Sequence, residues 1–242
     1  MLKVSKRLVV GPVEMEFGWE LFCWQGYLRN IAKHYKEIII IGREGHELLY
    51  RDFCTSYVKH MINFGEAVYL SPKDLPVFYD VRNKANNKNF EKQSFIPFGN
   101  KTTKIYDILF HVRNEPLKED KINRNYGSLE DFEALSANFK TKKIATIGSS
   151  KSLYIKGTDD LRNMPLALLA DIMRNSTIVV GALSGPIHFA ALCGCTHITW
   201  SGIKENEHRC IKDWNPFNTD VRFFNSTSIP KGIDKIIDSH IL

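Results

Sequence analysis

Apolar residues in the first sixty positions alternate between short continuous runs and runs at helical spacing. Leu8–Val10 is a β-rich run that ends at Gly11, and the apolar residues from Trp19 to Ile31 recur at roughly helical intervals. The continuous run Ile38–Ile41 is typical of a buried parallel strand. Four further residues at helical spacing predict a second helix: Leu48, Leu49, Phe53 and Tyr57. This order of strand and helix predicts βαβ units and a parallel sheet.

The same alternation returns in the second half of the chain. Apolar runs predict strands over residues 105–112, 143–147, 178–181 and 197–200. Helical spacing predicts helices over residues 128–139, 165–175, 184–192 and 232–242. Ser128 and Asp131 have the spacing of a capping box at the start of one of them.

The alternation fails between residues 71 and 104. This stretch contains Pro72, Pro76 and Pro97, and residues 82–104 carry six Lys or Arg against one Glu. A linker is the plainer interpretation, and a basic loop that faces an acidic ligand is the alternative. We therefore predict an α/β protein of two small Rossmann-like domains, residues 1–100 and 101–242, that face a cleft. Whether the C-terminal helix crosses back to the first domain is left open.

Composition narrows the class of protein. The 242 residues are 43% hydrophobic and 25% charged, which is ordinary for a globular protein and excludes wholesale disorder. No apolar run approaches the ~20 residues of a membrane span, so a transmembrane protein is excluded. The first residues lack a sustained apolar stretch, so no signal peptide is expected. Five cysteines without zinc-ligand spacing indicate reduced thiols, and hence a cytoplasmic location. Peripheral attachment to the inner membrane face stays open.

The net charge of +6 favours an anionic partner such as a nucleotide, a nucleic acid or a lipid surface. The competing interpretation is a slightly basic soluble protein with no such partner.

The strongest local signal is the run from Val179 to Ala191, where a buried strand leads through a turn of small residues into a helix. In an open parallel sheet such turns lie at the carboxyl ends of the strands, where ligands bind. Helix-start amides suit a phosphate group. Ser184 can cap the helix or donate its hydroxyl to a phosphate, Gly185 permits close approach, and His188 points back toward the same opening. The alternative is an ordinary capped helix with a core histidine.

About a fifth of the chain resembles a known family. Gly157–Arg162, the leucine-rich helix and apolar strand that follow, Ser184-Gly185-Pro186-Ile187-His188, and Ala190-Ala191 with Gly194 resemble the donor half of the ADP-heptose:lipopolysaccharide heptosyltransferase family. The resemblance implies a glycosyltransferase of the GT-B fold that uses a nucleotide-diphospho-sugar as co-substrate, without a further cofactor. The family has Asn-Asp before Ser-Gly-Pro, whereas this chain has Ala182-Leu183, so any role of that carboxylate is absent.

The amino-terminal loop lies where GT-B enzymes carry an acceptor-side turn. It holds three carboxylates within seven residues, next to Trp19. An inverting transferase needs one base within hydrogen-bond reach of the acceptor hydroxyl. We predict Glu16 as this base, with Glu20 as the alternative and Glu14 third, and Trp19 as an acceptor contact. The competing interpretation is that these residues stabilise the first turn of the next helix.

Basic residues at strand ends can neutralise a diphosphate leaving group. Arg113 is the first candidate, with Arg124 and Lys151 in neighbouring loops, and Arg43 is a similar candidate on the acceptor side. Each competes with an ordinary surface cation. The predicted donor-binding set is therefore Arg113, Arg124, Lys151, Ser184, Gly185, Pro186 and His188. The adjacent pair Asp159-Asp160 lacks the Asp-x-Asp spacing of metal-dependent transferases, so no metal is expected.

These observations predict a metal-independent, inverting glycosyltransferase with a glycan or lipid-linked acceptor. One alternative is a transferase that modifies a hydroxymethylated base in DNA, as phage enzymes of the GT-B fold do. The other is a non-catalytic module that binds sugar-nucleotides or nucleic acid. A kinase or NTP hydrolase is disfavoured, because the chain has no Gly-x-x-x-x-Gly-Lys-Ser/Thr loop.

Overall fold

A computed structural model describes residues 5–13, 15–60, 93–114 and 123–241. The chain divides into two compact units, Met1–Ile96 and Pro97–Leu242. Each unit has its own parallel sheet. Among the helices in these ranges, none has the length and apolar character that crossing a membrane requires.

The first unit contains a three-stranded parallel sheet in the order β1-β2-β3. Its strands are β1 (Ser5–Val10), β2 (Tyr35–Arg43) and β3 (Ser56–His60). Between β1 and β2 the chain is helical, as predicted, and consists of α1 (Phe17–Trp19), a π-helical turn (Glu20–Trp24) and α2 (Gln25–Ala32). The helical segment buries Leu21, Phe22 and Leu28, and β2 buries Ile38 and Ile40.

The helix predicted from Leu48 to Tyr57 is wrong. Only Glu47–Leu49 is helical, as a single 3₁₀ turn, and Tyr57 belongs to β3. Thr55 explains the difference: its N–H donates to the carbonyl of Ile38 at 2.8 Å, and its hydroxyl accepts the N–H of Ile38 at 3.0 Å. These two bonds attach the chain to the sheet, so pairing with β2 overrides a weak local helical pattern.

The second unit contains a six-stranded sheet in the order β6-β5-β4-β7-β8-β9, and all its neighbours are parallel. Its strands are β4 (Tyr106–His111), β5 (Ile144–Gly148), β6 (Asp159–Arg162), β7 (Ser176–Ala182), β8 (Thr196–Ser201) and β9 (Val221–Asn225). Numbered within the unit, this order is 3-2-1-4-5-6, which is the order of dinucleotide-binding sheets. The Rossmann-like fold expected for this half is confirmed.

In the described residues of the second unit, five α-helices accompany the sheet. They are α3 (Leu129–Ser136, extended by a 3₁₀ turn at Ala137–Phe139), α4 (Leu166–Arg174), α5 (Gly185–Leu192), α6 (Asn206–His208, extended by a π-helical turn at Arg209–Asp213) and α7 (Ile233–Ile241). The predicted capping box of α3 is confirmed: Ser128 accepts from the N–H of Asp131, and the Asp131 carboxylate accepts from the N–H of Ser128.

One face of this sheet carries a hydrophobic core cluster. Phe132 of α3 lies between Phe110 and Trp200, at ring-centroid distances of 6.1 and 5.8 Å. Helix α7 contributes Ile233 and Ile237 to the same core, so this C-terminal helix packs on the second unit. Helices α4 and α5 contact the sheet through β7 and β8.

The described part of the predicted linker belongs partly to the first unit and partly to the second. Residues 93–104 contain no helix or strand. Ser94 donates its N–H to the carbonyl of Gly26 in the first unit, at 2.8 Å. Phe98 donates to the carbonyl of Leu192 in the second unit, at 2.9 Å. Most of the basic segment lies outside the described residues.

Candidate functional site

The second sheet changes direction between β4 and β7. From β4 the chain proceeds to β5 and β6 on one side, and from β7 it proceeds to β8 and β9 on the other. Ligands of such sheets bind outside the carboxyl ends of the strands at this switch point. His111 ends β4, and Ser184 follows the end of β7. The Ser184 hydroxyl lies 2.9 Å from Nδ1 of His111, so one hydrogen bond spans the switch point.

His111 also contacts the loop that follows a third strand, β5. Its Nε2 lies 3.3 Å from the hydroxyl of Ser152, in the loop after β5. The imidazole is buried, and burial, together with the nearby Arg113, lowers the pKa of His111 to about 3. At neutral pH the ring is therefore uncharged, with one nitrogen donating and the other accepting. The two serine hydroxyls consequently have opposite roles toward it.

Two glycines leave room for this histidine. A Cβ on Gly148 would overlap the Ser152 hydroxyl and lie 2.9 Å from Cδ2 of His111, and Gly148 has a φ of +137°. A Cβ on Gly181 would lie 2.5 Å from the carbonyl oxygen of His111. Side chains at either position would displace the His111 backbone or ring.

Ser184 is the N-cap residue of α5, but its side chain makes no capping bond. Its hydroxyl pairs with His111 instead, so of the two roles considered for Ser184 the side-chain cap is not formed. Gly185 and Pro186 form the half-buried first turn of α5. Pro186 has no N–H, so the first-turn donors come from residues such as Gly185.

His188 lies one turn into α5 and is buried. Its ring packs edge-on against Trp214 at a centroid distance of 4.6 Å, and Arg209 lies over the same indole at 5.2 Å. Burial lowers the pKa of His188 to about 3, with further contributions from His197, Arg209 and Arg113. The neutral imidazole is therefore packed against Trp214 in the interior of the second unit, one turn after the start of α5.

Arg113 lies two residues beyond β4 and is half-buried. Its Nη1 donates to the carbonyl of Leu183 at 2.8 Å, which fixes the guanidinium beside Ser184. Arg124 is half-buried in the segment before α3, and Lys151 is exposed in the loop after β5. The described contacts place His111, Arg113 and Ser184 next to one another. Arg124 and Lys151 remain candidates for donor binding only because they lie in neighbouring loops.

In the first unit, Glu20 differs from the open carboxylate that the sequence suggested. It is fully buried, and its Oε1 accepts from the Tyr50 hydroxyl at 2.8 Å. Its Oε2 lies 2.8 Å from Nδ1 of His46 and 3.9 Å from Nη1 of Arg43. Both oxygens are therefore engaged, and Glu20 is not open to direct contact with a substrate hydroxyl.

The other predicted acceptor-side residues occupy different environments. Glu16 is exposed, and its carbonyl accepts the N–H groups of Trp19 and Glu20 at 3.0 and 3.1 Å. Trp19 is half-buried at the end of α1, and Arg43 is half-buried at the end of β2. Glu14 lies outside the described residues.

Sequence reasoning missed His111 and Ser152 in the second unit, and His46 and Tyr50 in the first. A histidine at the end of a central apolar strand was a usable signal for His111. The other three have no local signal, because their partners lie 26 to 41 residues away along the chain.

The described residues contain no group of three or more His, Cys, Asp or Glu side chains suited to a metal ion. The five cysteines are free thiols, and Cys193, Cys195 and Cys210 are buried. Burial raises the pKa of Cys195 and of Cys210 to about 12, so both stay protonated and unreactive at neutral pH.

No protein-family model matches this chain, and no curated protein does. Solved structures do match. A family 9 glycosyl transferase from Veillonella parvula is 11% identical, with a TM-score of 0.56, over 92% of this chain and 87% of that one. The ADP-heptose lipopolysaccharide heptosyltransferase II of Escherichia coli is 10% identical, with a TM-score of 0.58, over 97% of both chains.

A third match is the dodecameric, iron-containing heptosyltransferase TibC of enterotoxigenic E. coli, solved with ADP-D-β-D-heptose. It is 13% identical, with a TM-score of 0.50, over 83% of this chain and 59% of TibC. Identities this low show a shared fold. The predicted likeness to heptosyltransferases of the GT-B fold is confirmed at that level.

Proposed function

We propose that this protein is a glycosyltransferase that moves a sugar from a nucleotide-diphospho-sugar to a hydroxyl acceptor. The observation that carries the proposal is the bond between His111 and Ser184 at the switch point, with Arg113 fixed beside it. The structural neighbours are glycosyltransferases, which supports the same class.

The proposed donor site holds the diphosphate at the start of α5. The N–H of Ser149 donates to the Ser152 hydroxyl at 3.1 Å, which leaves the proton of that hydroxyl for Nε2 of His111. Nδ1–H of His111 then donates to Ser184, and the Ser184 hydroxyl proton is directed to a phosphate oxygen. Arg113 and the helix-start amides add positive charge where the leaving diphosphate develops negative charge.

We propose that this arrangement acts without a metal and with inversion at the anomeric carbon. Arg113 and the helix start supply the neutralisation that a metal supplies elsewhere, and Lys151 and Arg124 are the proposed helpers. Turnover that persists in EDTA would agree with this assignment, and turnover restored only by added iron or magnesium would contradict it.

The proposed acceptor site lies in the first unit, with Trp19 and Arg43 as contacts. Of the two predicted bases, the exposed Glu16 is placed to take the acceptor proton directly, whereas the buried Glu20 acts only through a neighbouring side chain. A glycan or lipid-linked sugar is the proposed acceptor. If the acceptor were DNA, binding would weaken log-linearly between about 50 and 200 mM salt, because phosphate contacts release counterions. A non-catalytic module would bind the donor and never release nucleoside diphosphate from it.

A thermal-shift screen with ADP, UDP, GDP and their sugars tests donor binding. A ligand at about 100 times its Kd stabilises the folded protein by roughly 2.7 kcal/mol, so at least one nucleotide should raise the melting temperature by several degrees. Ser184→Ala should abolish most of this shift, whereas Ser239→Ala, an exposed serine on α7, should retain it. A panel in which no nucleotide shifts the wild-type protein would contradict the donor site.

A further inference from the structure

The buried carboxylate of Glu20 forms a pair with a histidine that reaches the surface. Oε2 of Glu20 lies 2.8 Å from Nδ1 of His46, and the carboxylate is fully buried, whereas 20% of the His46 side chain is exposed. Glu20 begins the π-helical turn after β1, and His46 lies three residues beyond β2. Both residues therefore lie toward the carboxyl edge of the first sheet, where α/β proteins bind ligands.

Besides His46, two neighbours, Tyr50 and Arg43, hold the Glu20 carboxylate in one orientation. Burial, followed by the adjacent carboxylate, raises the pKa of Tyr50 well above its ordinary value, so the phenol keeps its proton and donates to Oε1. Arg43 places a positive charge 3.9 Å from Oε2. The Tyr57 hydroxyl donates to the carbonyl of Arg43 at 2.6 Å and fixes the end of β2. An unpaired carboxylate at this depth would be strongly destabilising, so these contacts are needed to keep it there.

This fixed carboxylate determines which nitrogen of His46 carries the proton. An ionised carboxylate only accepts, so the neutral imidazole donates Nδ1–H to Glu20 and carries its lone pair on Nε2. Among the residues that the structure describes, none forms a hydrogen bond with that Nε2. Phe17 flanks the ring at a centroid distance of 5.2 Å. The pair thus presents an oriented basic nitrogen at a partly exposed position.

We propose that His46, rather than a carboxylate, is the general base of the transfer reaction, with Glu20 as its positioning residue. This inference rests on the proposed glycosyltransferase function. Nε2 of His46 takes the proton of the acceptor hydroxyl while the hydroxyl oxygen forms a bond to the anomeric carbon. The bond from that carbon to the diphosphate oxygen breaks, and its electron pair leaves with the nucleoside diphosphate. Glu20 stabilises the imidazolium that forms.

The alternative base, Glu16, is an exposed side chain at the N-cap of a three-residue helix. A base that is oriented by a buried partner loses less rotational freedom in the transition state than an exposed glutamate does.

Histidine tautomers test the pair without any substrate. In protein labelled with ¹⁵N-histidine, nitrogen chemical shifts should show neutral His46 protonated on Nδ1. Glu20→Gln should increase the share protonated on Nε2, because the glutamine amide can donate to Nδ1. Wild-type His46 protonated mainly on Nε2 would overturn the inference.

Turnover tests the role of the base. The assay is nucleoside diphosphate release from ADP-, UDP- and GDP-sugars with water as the acceptor. His46→Asn should lower kcat by about 100-fold or more, with the donor KM unchanged. Glu20→Gln should lower kcat by at least 10-fold, again at constant KM. Two surface variants serve as matched controls and should retain the wild-type rate: His34→Asn and Glu44→Gln.

The outcomes separate the two proposals. If the wild-type protein releases nucleotide and His46→Asn does so equally fast, or if Glu16→Gln alone abolishes release, the role of His46 is overturned and the transferase function stands. If the wild-type protein neither binds nor turns over any nucleotide-sugar, the proposed function fails, whatever the tautomer of His46.

Discussion

His111 illustrates how a single buried residue can organise a site. It touches the loops after β5 and β7 through one neutral ring, and its low pKa follows first from burial. A histidine at this position is visible in the sequence. Its contact with Ser184, 73 residues away, depends on β4 and β7 being neighbours in the sheet, which no local pattern reveals.

Gly148→Ala tests the space around His111. The added methyl would overlap Ser152 and press on His111, and the residue would be held at a positive φ. We expect the free energy of unfolding to fall by about 2–4 kcal/mol, since overpacking costs ~1–3 and the backbone strain ~1 kcal/mol more. Urea denaturation measures this difference.

Gly157→Ala is the matched control. Gly157 also has a positive φ, +89°, but a Cβ there would meet nothing within 4 Å. In the Gly157→Ala variant, the free energy of unfolding should fall by the backbone contribution alone, about 1 kcal/mol. If the free energy of unfolding falls equally in the two variants, His111 and Ser152 do not restrict the space at Gly148.

In the second sheet, the sequence pattern predicted the central strands and missed the two edge strands. Strands β4 and β7 are nearly continuous in hydrophobicity because both faces are covered. Strand β8 is also buried, although it alternates Ile198 and Trp200 with polar residues. Strand β6 contains Asp159, Asp160 and Arg162 and lies beside β5 at one edge of the sheet, and its polar sequence gave no strand signal. Strand β9 is likewise an edge strand and was missed.

Helix starts were predictable where the capping side chains bond to backbone groups within the same turn. The capping box of α3 needs only Ser128 and Asp131, three residues apart. Ser184 lies in the same N-cap position on α5, yet its hydroxyl bonds His111. A cap predicted from spacing therefore holds unless a tertiary partner competes for the same hydroxyl.

Ser128→Ala should destabilise the protein by about 1 kcal/mol, because one first-turn N–H of α3 loses its acceptor. Asp131→Ala should have a similar effect, and the double variant should lose less than the sum of the two. Thermal unfolding measures the three differences. Strict additivity would show that the reciprocal bonds do not act as a unit. Nucleotide binding should be unaffected in all three variants.

At the scale of the whole molecule, buried neutral histidines make stability depend on pH. Burial is the main reason that the pKa is about 3 for His111 and His188 and about 4 for His197. The unfolded chain binds a proton at each near pH ~6.5, whereas the folded protein does not until far lower. The stabilisation is therefore complete above pH ~6.5 and is lost as the pH falls toward the folded-state values.

Between pH 7.5 and 5.5, each of the three histidines should lower the free energy of unfolding by about 1.4 kcal/mol, or roughly 4 kcal/mol together. Urea unfolding at the two pH values measures the change. His197→Gln should reduce the difference by about one third, whatever its effect on absolute stability. A difference near zero in the wild-type protein would mean that these rings are protonated in the folded state.

The division of the chain was inferred from a gap in the apolar pattern between residues 71 and 104. Along the chain, the first compact unit ends at Ile96 and the second begins at Pro97, within that gap. The gap is informative because a domain boundary lacks the periodic burial that strands and helices require. Chemistry was harder to infer, since both candidate sites depend on contacts between separate strand ends.

Release of nucleoside diphosphate tests whether the protein uses a nucleotide-diphospho-sugar. The purified protein is incubated with ADP-, UDP- and GDP-sugars, and the free diphosphate is quantified by chromatography and mass spectrometry. We predict release from at least one donor above the protein-free rate, and at least a 10-fold loss in Ser184→Ala, since removing one donor hydrogen bond at the developing charge costs ~2 kcal/mol or more. If no donor releases nucleoside diphosphate faster than it does in protein-free buffer, the protein is not a transferase of this class.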